Sequence, residues 1–78
     1  MVNTEALNEI IEKSGKKKGY IAERIGITPQ SLRKKILNIT DFTTSEVIIL
    51  CEELGITKLA DKERIFFAKD VSETDNIS

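Results

Sequence analysis

The chain has 78 residues, 40% hydrophobic and 32% charged, with a net charge of −1; a chain this short buries only about 60–65% of its unfolded surface, so two separate cores are excluded. No apolar run approaches the roughly 18 residues of a membrane span, and "MVNTEALNEI" lacks the basic-then-apolar layout of a signal peptide, so the expectation is a cytoplasmic protein without membrane attachment. One cysteine, Cys51, and no histidine exclude an internal disulfide and leave a zinc site without most of its usual ligands.

In chain order, Asn3 or Thr4 can cap a first helix on which Leu7, Ile10, Ile11 and Ser14 share a face, and Gly15 ends it. Lys16, Lys17 and Lys18 form a basic turn. After Gly19, the residues Tyr20, Ile21, Ala22 and Ile25 begin a second helix that Gly26 stops. Thr28 and Pro29 are a helix-start pair, a hydroxyl at the cap and a proline in the first turn, where a missing N–H costs nothing. That third helix runs to about Leu37, with Leu32 and Ile36 on its inner side.

"NITDF" reads as a loop. Thr43 and Glu46 then form a capping box for a fourth helix, whose stripe is Val47, Leu50, Cys51 and Leu54 and whose stop is Gly55. Cys51 is accordingly expected in the core. A fifth helix is expected from Leu59 or Asp61 to Ala68, carrying Ile65, Phe66 and Phe67. Beyond Lys69 the segment is polar and acidic with no apolar period, so residues 70–78 are expected to be a disordered tail on a 1–69 domain. No segment alternates with period two, and the expected fold class is all-α.

Charge is distributed unevenly. Between Lys13 and Leu37 lie eight basic residues, Lys13, Lys16, Lys17, Lys18, Arg24, Arg33, Lys34 and Lys35, against the single acid Glu23. That block carries +7 and the rest of the chain −8, a dipole that fits one face meeting a polyanion. Catalysis is not expected. The sequence has no nucleophile with a base, no phosphate-binding glycine loop and no evident cofactor or small-molecule site, and so small a domain has little room for a deep pocket.

Two short helices joined by a tight turn that begins with glycine are what a helix-turn-helix requires, the second helix projecting into the DNA major groove. Ala22 is small enough for close approach of the two helices, Gly26 supplies the turn, and Ile21, Ile25, Ile27, Leu32 and Ile36 cover the inner faces. Through Ile21, Ala22, Ile25, Gly26, Ile27 and Leu32, and less sharply through "TSEVIILCEELGI" into "ERIFFAK", the chain resembles the Cro/CI-type (XRE-like) helix-turn-helix repressors of temperate phages and their bacterial relatives, over about residues 3 to 69.

The resemblance implies a compact five-helix, lambda-repressor-like DNA-binding domain with the motif at helices 2–3, and a sequence-specific regulator bound to a double-stranded operator. It makes Gln30, Ser31, Arg33 and Lys34 the candidate base readers. Lys17, Lys18, Thr28, Asn38, Thr40 and Thr43 become candidate phosphate contacts, although turn and capping roles account equally well for Asn38, Thr40 and Thr43. The chain departs from the family pattern at Lys18 and Pro29, where relatives often have glutamine, at Lys35, where they have an apolar residue, and at Asn38-Ile39 in place of asparagine-glycine.

Ile48 and Ile49 lie off the fourth helix's stripe, and the adjacent Phe66 and Phe67 cannot share one direction. Either the fifth helix covers the surplus, or these residues form the interface of a weak homodimer, the outcome expected here. The alternative function is a protein-binding adaptor, antirepressor or antitoxin-like module on the same fold.

Overall fold

The computed structural model describes residues 1–68. Among them the chain forms five helices and no strand: α1 Thr4–Ser14, α2 Lys18–Ile25, α3 Pro29–Ile36, α4 Thr44–Leu54 and α5 Leu59–Phe66. The expected tail at residues 70–78 lies outside the described residues.

Local chemistry sets most of the helix ends. The Asn3 side chain caps α1 by accepting from the Ala6 N–H, and the Thr28 hydroxyl caps α3 by accepting from the Ser31 N–H with Pro29 in the first turn. Thr43 and Glu46 close the reciprocal capping box of α4. Gly26 ends α2 at φ 92°, a left-handed conformation that a β-carbon penalises, and its N–H reaches back to the Ala22 and Glu23 carbonyls. Two boundaries differ from expectation, and one is that α5 ends at Phe66 and not at Ala68. The second helix begins at Lys18, and Gly19 lies inside its first turn, where the weak helix propensity of glycine is tolerated because the first turn's N–H groups lack intrahelical partners in any case.

At eight residues each, α2 and α3 fall short of the roughly 12–15 needed for an isolated helix to persist in water, so packing has to hold them. The fully buried Leu7, Ile21, Leu32, Ile36, Leu50 and Ile65 come from all five helices and meet in a single core. Each contributes about 1.5–3 kcal/mol on burial. Helix α2 packs on α3 and α4, while α1 packs on α3, α4 and α5. Ala22 is completely buried, and Ile25 and Ile27 close the edge of the same cluster.

The chain ends add a clasp. Asn3 donates its N–H to the Ile65 carbonyl at 2.7 Å, and Ala68 donates to the Met1 carbonyl at 3.1 Å, which buries Val2 beside α5. Phe66 is corrected here. Expected on the association surface, it is 3% exposed and packs edge-on to Phe42 with ring centroids 6.2 Å apart, while Phe67 turns outward.

Candidate functional site

Helix α3 has two sides. Leu32 and Ile36 point into the core, and Gln30, Arg33 and Lys34 are exposed. Ser31 is only half-exposed, at the flank of that face. Leu37, just past the helix and four residues beyond Arg33, is 48% exposed and adds an apolar group to this side.

Lys35 leaves this face. Its ammonium lies 3.1 Å from Glu46 Oε1, donates to the Asp41 carbonyl at 2.8 Å and sits 5.9 Å from the centre of the Phe42 ring. Only 12% of its side chain is accessible, so it joins the end of α3 to the start of α4. Burial pushes the Glu46 carboxyl up, but hydrogen bonds from the Thr43 N–H and from Lys35 outweigh it and hold the group below the usual carboxylate range.

Glu53 on α4 plays the same part for α2. Its carboxylate accepts from Arg24 Nε at 2.8 Å and from Lys16 Nζ at 3.0 Å, and Lys16 also donates to the Glu53 carbonyl. The Arg24 bond, then the Lys16 bond, lower its pKa. Lys13 pairs with Glu9 one turn back on α1. These four pairs engage Lys13, Lys16, Arg24 and Lys35; among the described residues no ion pair engages Lys17, Lys18, Arg33 or Lys34.

Two of these four cations meet at one cleft, and among the described residues Lys58 and Lys62 at α5 are also without an ion pair. Lys18 at the start of α2 and Arg33 in the middle of α3 line one cleft of about 310 Å³, together with Asn8, Pro29, Ile36 and Leu37. Lys17, in the N-cap position of α2, offers no side-chain cap, and the first turn of α2 has no acid. Its N–H groups are left facing outward beside two lysines, a setting that suits an anion.

The remaining candidate phosphate residues sit in varied surroundings. Thr28 accepts as a cap but keeps its hydroxyl proton free to donate, and Thr40 is exposed. Thr43 is occupied in the α4 capping box. Asn38 adopts a left-handed φ of 63°, and its side chain brackets Val2: Oδ1 accepts from the Val2 N–H and Nδ2 donates to the Val2 carbonyl, both at 2.9 Å. Beside it Thr4 donates to the Ile36 carbonyl at 2.6 Å, so two side chains fix the C-terminal end of α3 to the N-terminal segment.

On the opposite helices, Ile48 is 54% exposed, Phe67 62% and Leu59 70%, and Ile49 is half-buried. Among the described residues no three His, Cys, Asp or Glu side chains cluster as a metal site, and no helix is long and apolar enough to cross a membrane. Cys51 is buried, and that burial raises its thiol pKa. Comparison of the chain with protein families, with curated proteins and with solved structures finds no match.

Proposed function

We propose that the chain is a sequence-specific, double-stranded DNA-binding transcriptional regulator, in which α2 and α3 form a helix-turn-helix and α3 enters the major groove. The single observation that carries this reading is the division of the basic block. Four of its cations are held by carboxylates from α1 and α4, and the four left unpaired lie at the start of α2 and on the outer side of α3.

The roles follow from position. Gln30 and Lys34 are the most outward polar groups of α3 and the first candidates for base edges, with Ser31 and Arg33 at the flanks. Lys17, Lys18, Thr28 and the open first turn of α2 suit backbone phosphates, with Thr40 at the margin. A Cro/CI-like repressor acting in the cytoplasm fits this arrangement, and the proposal includes no catalysis and no cofactor. A homodimer through Ile48, Ile49 and Phe67 would bring two α3 helices onto half-sites roughly 34 Å apart.

Selection of bound duplexes from a random pool tests the reading, followed by affinity measurement across salt concentrations. The expected result is an enriched sequence whose affinity falls log-linearly with salt. Failure to enrich any duplex, with salt-insensitive binding to another protein instead, would favour the adaptor reading, for which exposed Ile48, Leu59 and Phe67 are the available surface.

A further inference from the structure

We infer that Arg33 and Lys18 together seat one DNA backbone phosphate at the cleft between α1, α2 and α3, so that Arg33 positions the protein on the duplex and does not read a base; this rests on the DNA-binding reading above. The cleft is lined by Asn8, Lys18, Pro29, Arg33, Ile36 and Leu37, and no carboxylate is among them. Two like charges on one cleft repel each other unless an anion lies between them, and among the described residues no ion pair engages Lys18 or Arg33. Pro29, Ile36 and Leu37 form an apolar wall, which fits the carbon face of a deoxyribose next to the phosphate.

The cleft supplies a second observation. Asn8 lines it, and among the described residues its Oδ1 is buried without a hydrogen-bond partner, an arrangement that costs free energy until a donor reaches it. An acceptor would repel a phosphate directly. Lys18, however, carries three donors, and if the Asn8 amide turns its oxygen toward the cleft Lys18 can give one proton to Asn8 and the others to the phosphate. Asn8 is then a positioning residue for Lys18. The geometry of α3 agrees: Arg33 lies toward the α1–α2 side of the helix, over the cleft, whereas Lys34 points away from the protein.

The experiment compares wild type with Arg33→Ala, Arg33→Lys, Lys18→Ala and the Arg33→Ala/Lys18→Ala double variant, each by duplex selection and by salt titration. For the single alanine variants the seat predicts unchanged selected sequences, about tenfold weaker binding to every duplex, and a salt slope flatter by less than one unit, because the remaining cation still neutralises the phosphate. Because both cations serve one phosphate, the double variant should flatten the slope by about one unit rather than two. Arg33→Lys should stay within about threefold of wild type, since a seat needs charge and not the planar fork that pairs with guanine. Relaxed preference at one base position in Arg33→Ala or Arg33→Lys, with the salt slope unchanged, would overturn the inference and make Arg33 a reader. Wild type that selects no duplex at all would instead remove the DNA-binding reading, and the seat with it.

Discussion

Lys34 and Lys35 are neighbours in sequence and opposites in setting. Lys34 stands exposed on α3 without an ion-pair partner among the described residues, and Lys35 is folded against Glu46, the Asp41 carbonyl and the Phe42 ring. A helix turns about 100° per residue, so a run of three basic residues cannot face one way. The same division runs through the molecule. Carboxylates on α4 neutralise the cations of the basic block that face them, Glu53 for Lys16 and Arg24 and Glu46 for Lys35, and leave that block's free positive charge at the start of α2 and on the outer side of α3. One group of lysines holds the fold together; the other is left for a partner.

The sharpest way to break that comparison is to reverse charge in each group separately. Lys18→Glu/Lys34→Glu should weaken duplex binding more than a hundredfold at moderate salt, because each reversal replaces an attraction for the polyanion with a repulsion. Its melting temperature should stay within about 3 °C of wild type, since both positions are exposed. Anisotropy titration and thermal melting check the two halves, and a large loss of stability with intact binding would reverse the assignment.

Glu46→Gln should show the opposite pattern. It weakens the charged partner of Lys35 and the returning bond of the α4 capping box, and the expected cost is about 1–3 kcal/mol, a fall of roughly 5–15 °C in melting temperature. Duplex affinity of the folded variant should change by less than about threefold, because no phosphate contact is lost.

Acid should act on the paired group as well. The folded Glu46 and Glu53 carboxyls titrate below their unfolded values, so the folded state holds fewer protons and these pairs stabilise it fully above the unfolded carboxylate range. Stability should be level from neutral pH to about pH 5 and then fall as pH drops through the folded values. Glu53→Gln should make that fall shallower, with a smaller effect at neutral pH than Glu46→Gln, because its partners Lys16 and Arg24 are more exposed than Lys35.

The smallest effect concerns self-association. Ile48→Lys/Phe67→Lys should leave monomer stability within about 0.5 kcal/mol, since both side chains are more than half exposed. In sedimentation the wild type should associate weakly at high concentration and the variant should not; a wild type that remains monomeric on its own and on DNA would remove the homodimer.

Much of the fold could be read from local pattern. Asn3, Thr28 and the Thr43–Glu46 box mark helix starts, Gly15, Gly26 and Gly55 mark stops, and the buried Leu7, Ile21, Leu32 and Leu50 follow helical spacing. What could not be read depends on contacts between distant segments. Glu53 meets Lys16 and Arg24 from 37 and 29 positions away, so no window of helical length contains the pair. Lys35 counts as free charge in the sequence because the α3–α4 turn that folds it onto Glu46 has no local signature, and Asn38 brackets Val2 from 36 positions away. Phe66 and Phe67 were separable in principle but not assignable, because which of them faces inward depends on where α5 docks. Leu37 marks only the end of the third helix in the sequence, and helical phase carries it out beside Arg33.

The most direct test of the central claim is the salt dependence of duplex affinity for wild type, measured beside Lys34→Ala and Lys35→Ala. With Lys17 on one phosphate and Lys18 and Arg33 sharing another, the plot of log affinity against log salt should have a slope of about −2 per protomer. Lys34→Ala should change that slope or the selected sequence, and Lys35→Ala should change neither while lowering the melting temperature. A slope near zero, or equal effects of the two lysines on binding, would contradict the division of charge on which the account rests.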